Sequence, residues 1–118
     1  MTETRTEETS AEDRKLVTLA RATRARTGAA EGAAVRDSDG RTYAAATVAL
    51  PSLAVSAVGV CVAMAVASGS KGLEAVVVLT DADAVADTDL AAVRDLAGAG
   101  VVVHRGDARG SLLGTTTT

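Results

Sequence analysis

The spacing of apolar positions changes several times along this chain, and each change marks an element. From Ala11 to about Arg26, Leu16, Leu19, Ala20 and Thr23 recur at helical spacing, while Arg14, Lys15, Arg21, Arg24 and Arg26 take the other faces. The pattern predicts an amphipathic helix, with Ser10 as N-cap, Asp13 in its acidic first turn and Gly28 as its stop. Ala29 to Ala46 reads as a β-hairpin turning on Asp37-Ser-Asp-Gly40. Thr42 to Ser70 then carries no Asp, Glu, Lys or Arg, and its core, Leu53 to Ala67, is apolar on every face of a helix. Leu50 and Pro51 are expected to open that helix and Gly69-Ser-Lys-Gly72 to end it. A helix with no polar face has to be covered by its own domain, by a partner or by lipid.

Beyond it, Leu73 to Thr80 is a near-continuous apolar, valine-rich run, as in a buried central strand. Asp87 to Ala97 predicts a short helix with Leu90, Val93, Leu96 and Ala97 inward, broken by Gly98-Ala-Gly100, and Val101 to His104 another strand. This order, helix, hairpin, helix, strand, helix, strand, predicts an α/β fold: a three-layer α/β/α sandwich around a mixed sheet. Strands that follow helices are expected to pair in parallel. Residues 1–9 are expected to be a disordered N-terminal tail, 10–105 the folded domain, and 106–118 a flexible C-terminal tail.

Composition narrows the function classes. A length of 118 residues fits one domain, and 47% apolar with 23% charged residues is globular usage. The apolar residues are mostly Ala and Val, with one Tyr and no Phe or Trp, so a monomer would have a thin core. Homo-oligomerisation is expected on that ground. A net charge of -3 argues against a general nucleic-acid or anionic-membrane binder. A membrane span is disfavoured by the Ala, Gly and Ser content, by Pro51 and by the lack of flanking Trp. The polar, acidic N-terminus is not expected to act as a signal peptide, and the expected location is cytoplasmic.

Candidate chemistry is sparse. The solitary His104 is expected at a strand end facing water, and the solitary Cys61 to be a buried, inert thiol. Asp81, Asp83, Asp87 and Asp89 are spaced like a calcium loop, but Ala86 and Ala92 stand where its Gly and distal Glu belong. They read better as a solvated loop opposing a helix dipole, although this loop follows a strand's carboxyl end, where α/β sheets bind ligands. The basic first helix lacks interleaved aromatics for RNA, Gly69-Ser-Lys-Gly72 lacks phosphate-loop spacing, and Ser56 is outside any G-x-S-x-G elbow.

The layout and local wording from about Glu12 to His104 resemble the small cytidine deaminase family, most specifically at Gly32-Ala-Ala-Val-Arg-Asp-Ser-Asp-Gly-Arg-Thr-Tyr43 and at Ala65-Val-Ala-Ser-Gly69. The resemblance implies a deaminase-type fold assembled as dimers or tetramers. In the family a (C/H)-A-E triplet and a P-C-x-x-C motif hold zinc, and the Glu moves protons during attack on the pyrimidine. Here the triplet's place falls on Ser56, Ala57 and Val58, and the second motif's on Thr88 to Ala92, with Asp89 and Ala92 where Cys would stand. The ribose-contacting N-x-E maps to Thr47-Val48-Ala49. Val58 cannot move a proton, and Ser56 is a poor zinc ligand beside thiolate or imidazole. The expected reading is a protein without cofactor or deaminase activity, acting as a structural or interaction module that forms homo-oligomers. The alternatives are a nucleoside or nucleotide binding protein that keeps the pocket without zinc chemistry, and an enzyme working through the Asp81–Asp89 loop and His104.

Overall fold

The computed structural model describes residues 9–118. Its elements are α1 (Ala11–Thr27), β1 (Gly32–Asp37), β2 (Thr42–Ala46), β3 (Val48–Leu50), β4 (Leu53–Val55), α2 (Ala57–Ala67), β5 (Leu73–Leu79), α3 (Asp87–Ala97), β6 (Val102–Gly106) and β7 (Leu112–Thr117). Five strands form one mixed sheet in the order β2-β1-β5-β6-β7. Only β5 and β6, joined through α3, run parallel; β5 lies antiparallel to β1. The expectation of parallel pairing after each helix therefore holds for one crossover alone.

Side-chain alternation along the central strands builds two cores. Ala34, Ala75, Val77 and Leu79 point to one face and pack against Leu16 and Ala20 of α1. Ala33, Val35, Val76, Val78 and Val103 point to the other, against Ala57, Val58, Cys61 and Ala65 of α2 and Leu90 and Val93 of α3. The result is the expected three layers. α1 can sit this close because β1 begins at Gly32, where a Cβ would strike the Ala20 carbonyl and come within 2.7 Å of Arg24 Cβ. Its ends are as the sequence predicts: Ser10 Oγ accepts from the Asp13 amide at 3.1 Å, and Gly28 closes the helix in the left-handed region.

The β1–β2 turn is held by a buried carboxylate. Asp37 Oδ1 accepts from the amides of Asp39 (3.0 Å) and Arg41 (2.9 Å), and Oδ2 accepts from Ser70 Oγ at 2.5 Å. The Ser70 bond is the chief reason its pKa lies below the usual carboxylate value, and it ties the hairpin to the chain leaving α2.

Three expectations are corrected. The apolar segment is not one helix from Leu50: β3 and β4 pair as a small hairpin around Pro51 and Ser52, and α2 starts only after Ser56. Proline pre-sets a turn there, and Ser56 Oγ accepts from the Gly59 amide, fixing the later start. Residues 106–118 are not a flexible tail. Asp107 Oδ1 accepts from the amides of Arg109 and Ser111 to form a tight turn, after which β7 pairs antiparallel with β6. The terminal threonines suit a pleated strand, and Thr118 closes it by bonding to Val101 and Gly98. His104 does not face water: it lies inside β6, 5% exposed. The expected N-terminal tail falls, but for Thr9, outside the described residues.

Candidate functional site

The N-termini of α2 and α3 meet on one side of the sheet. Ser56, the residue before α2, donates from its hydroxyl to Asp89 Oδ1 at 2.6 Å while accepting from the Gly59 amide at 3.0 Å. Asp89 sits in the first turn of α3 and is 5% exposed, so its buried carboxyl needs this hydrogen-bond partner. Ala57 and Val58 are buried beside them, and Ala92 is half-buried one turn along α3. The β3–β4 register, Val48 with Val55, brings Thr47 level with Ser56. Thr47 is committed elsewhere: its Oγ1 accepts from the Glu31 amide at 3.0 Å. Ala49 is exposed on β3. Of the positions singled out in the sequence, the fold thus gathers Ser56, Ala57, Val58, Asp89 and Ala92, and turns Thr47 and Ala49 to other uses.

This donor set does not fit zinc. Ser56 and Asp89 are bonded to each other, Val58 and Ala92 carry no donor atom, and the described residues hold no metal-binding group of three or more His, Cys, Asp or Glu. Cys61 points into the apolar core, where burial pushes its thiol up to about 12, far from the thiolate that metals and electrophiles need. The Asp81–Asp87 loop stays exposed but for Val85, and Asp81 reaches Arg24 at 4.0 Å.

A second polar cluster, on the opposite face, was not legible as a unit. His104 Nε2 lies 2.8 Å from Asp13 Oδ2, and Nδ1 lies 3.1 Å from Thr115 Oγ1. Asp13 Oδ1 also accepts from Arg36 Nη2 at 3.0 Å, and Arg36 Nε donates to Glu74 Oε1 at 2.9 Å. Burial alone would raise the Asp13 pKa, but the hydrogen bonds and charges of His104 and Arg36 outweigh it and leave the carboxylate below its usual value. The only sequence hint was the Thr115–Thr118 run, which pairs as a strand with the segment holding His104.

A shallow groove of about 360 Å³ lined by Lys15, Thr18, Leu19 and Thr42 lies between α1 and the β2 edge. Among the described residues, no helix is long and apolar enough to cross a membrane.

Comparison with known proteins agrees with this architecture. Solved cytidine deaminases share the fold at low identity. The Burkholderia pseudomallei enzyme has a TM-score of 0.73 and 20% identity, over 88% of this chain and 89% of that one. The Mycobacterium leprae enzyme gives 0.71 and 21%, over 92% and 94%. A mutant form of the Mycobacterium tuberculosis enzyme gives 0.68 and 19%, over 80% and 85%. No curated protein matches the chain by sequence. The cytidine deaminase-like family model matches residues 9–110, nearly the whole folded region, and the chain belongs to the cytidine deaminase-like family.

Proposed function

We propose that this family member lacks nucleoside deaminase chemistry and serves as a structural or interaction module that assembles with copies of itself in the cytoplasm. The observation that carries the reading is the 2.6 Å bond from Ser56 to Asp89. At the positions where the resemblance sets metal ligands, two side chains satisfy each other, and Val58 stands in the place of the proton carrier. What a metal would otherwise join, the N-termini of α2 and α3, a hydrogen bond joins here.

Self-assembly is supported by the uncovered side of α2. Cys61 and Ala65 are buried, but Ala63, Val66 and Ala67 remain at least partly exposed, Val66 by 55%. Leu50 and Leu53, at the tip of the β3–β4 hairpin, are 59% and 53% exposed. All lie in the one long stretch without charge, so nothing in it resists association with a like surface.

Metal analysis of the purified protein, with a cytidine turnover assay, tests the first part: less than stoichiometric zinc and no turnover are expected, and either one present overturns it. Replacing Ser56, Asp89 and Ala92 together by Cys should create a zinc site at this place. Failure of that triple variant to take up zinc would show that the three positions do not converge. Sedimentation tests the second part. The wild type should be oligomeric, and Val66→Ser with Leu53→Ser should shift it towards monomer; a monomeric wild type rejects self-assembly.

A further inference from the structure

We infer that Thr2 to Thr6 of this chain dock along the outer edge of β7 as a further, parallel strand of the main sheet. The inference is independent of the deaminase-site reading and of the α2 surface.

β7 is the last strand in the order β2-β1-β5-β6-β7, and among the described residues no strand pairs with its outer side. It bonds to β6 through alternate residues. The Thr118 amide donates to the Val101 carbonyl at 3.0 Å, so Thr118 faces β6, while Thr117 and, in the same phase, Leu113 turn their backbone groups outward. The strand reads Leu112-Leu-Gly-Thr-Thr-Thr117, without charge or proline, and Leu113 and Thr117 are exposed. Proteins protect an edge with charge, proline or a covering segment, because a bare one recruits strands from other molecules. β7 has neither of the first two.

The chain ahead of Ser10 fits as the covering segment by position, length, pattern and charge. Asp13 meets His104 on β6, whereas Arg21 donates to the Arg109 carbonyl in the turn before β7. α1 therefore runs opposite to β7 and begins at the Thr117 end. Eight residues precede Thr9, and extended they span roughly 26 Å. Crossing two strand spacings, from β5 to β7, takes roughly 10 Å. About five residues are left to run beside β7, and they reach the Thr117 end in the strand's own direction. Thr2, Thr4 and Thr6 alternate with Glu3 and Arg5, the period of a strand with two different faces. Their low apolar content is no obstacle, since backbone hydrogen bonds supply most of the affinity in strand addition. Glu3, Glu7 and Glu8 outnumber Arg5 in the segment. Arg14, Arg21 and Arg109, exposed at this end of the sheet, are paired with no carboxylate among the described residues. Arg14 also donates to the Thr9 carbonyl at 3.1 Å, which sets it beside the incoming Glu7 and Glu8.

Amide hydrogen exchange of the full chain, read residue by residue by NMR, tests the inference. The Leu113 and Thr117 amides should exchange at least about tenfold more slowly in the wild type than in the double variant Thr4→Pro with Arg5→Pro. Successive residues of a strand bond on opposite sides, so one of the two prolines removes a donor facing β7 whichever the phase. Protection should be the same in dilute and concentrated protein, as for a segment of the same chain. Wild-type Leu113 and Thr117 amides exchanging as fast as those of an unstructured peptide overturn the inference without recourse to a variant. Protection that survives both prolines overturns it, and so does protection that rises with protein concentration, because a second copy then covers the edge.

Discussion

The two faces of the sheet solve the burial of polar groups in different ways. Under α2 and α3 the core is mostly Val and Ala, and the polar contact between the two helices is a closed pair, Ser56 with Asp89. On the other face, beside α1, five polar side chains run in a chain from Glu74 through Arg36, Asp13 and His104 to Thr115. A closed pair joins two helix N-termini, whereas the open chain links α1, β1, β5, β6 and β7 through successive polar contacts. The contrast inverts what family resemblance suggests, since the resemblance points to the first face and the titratable groups gather on the second.

Removing the chain's central link should be among the costliest changes. Asp13→Ala leaves Arg36 with Glu74 alone and removes the Asp13 contact of His104, and a loss of about 2–3 kcal/mol is expected in urea unfolding, below that of a fully buried ion pair broken on one side. A loss below about 1 kcal/mol would mean that the cluster is solvated like a surface pair.

The closed pair should respond in a diagnostic order. Ser56→Ala removes the α2 cap and leaves the Asp89 carboxylate buried without its hydroxyl partner, for roughly 2–3 kcal/mol. Adding Asp89→Ala to it should recover part of that loss, because no buried charge is then left unpaired. If the double variant is the less stable by the full sum, the two residues act separately.

Packing between α1 and the sheet gives a third comparison. Gly32→Ala forces a methyl group against the Ala20 carbonyl and should cost about 1–3 kcal/mol, read as a lower thermal midpoint. Leu113→Ala, at a side chain 50% exposed on β7, should change the midpoint by no more than about 0.5 kcal/mol equivalent.

Acid should act through Asp13 and Asp37, one on each polar tie. Both have folded pKa values below the ordinary 3.8, so their stabilisation is full above that value and is lost as the pH falls through the lowered folded values. The thermal midpoint should therefore drop on acidification from about pH 5 to about pH 2. Ser70→Ala should flatten that drop, since the Ser70 bond is the largest influence on Asp37. An unchanged slope would leave Asp37 without its assigned part.

Much of the fold could be read from periodicity. The caps at Ser10 and Gly28, the hairpin on Asp37 to Gly40, the buried run Leu73 to Thr80 and the helix from Asp87 are local patterns, and each appears where the spacing places it. The misreadings share a cause. An uncharged run of Val, Ala and Leu has no polar face to show its period, so the β3–β4 hairpin was hidden in front of α2. A threonine run reads as flexible until β6 offers it hydrogen bonds. At the candidate site the identities of Ser56, Val58, Asp89 and Ala92 were legible; the bond between Ser56 and Asp89, 33 residues apart, was not.

By itself, then, the sequence determined the helices and strands whose apolar spacing is clear, such as α1, β5 and α3, and the residue types at the candidate site. Only the tertiary structure decided which polar groups meet. Asp13 and His104 are 91 positions apart, and their contact exists because β6 joins the sheet beside β5 while α1 begins above Arg36. Periodicity is a property of neighbours along the chain. The pairing of distant charges depends on strand order and register, which no single segment encodes.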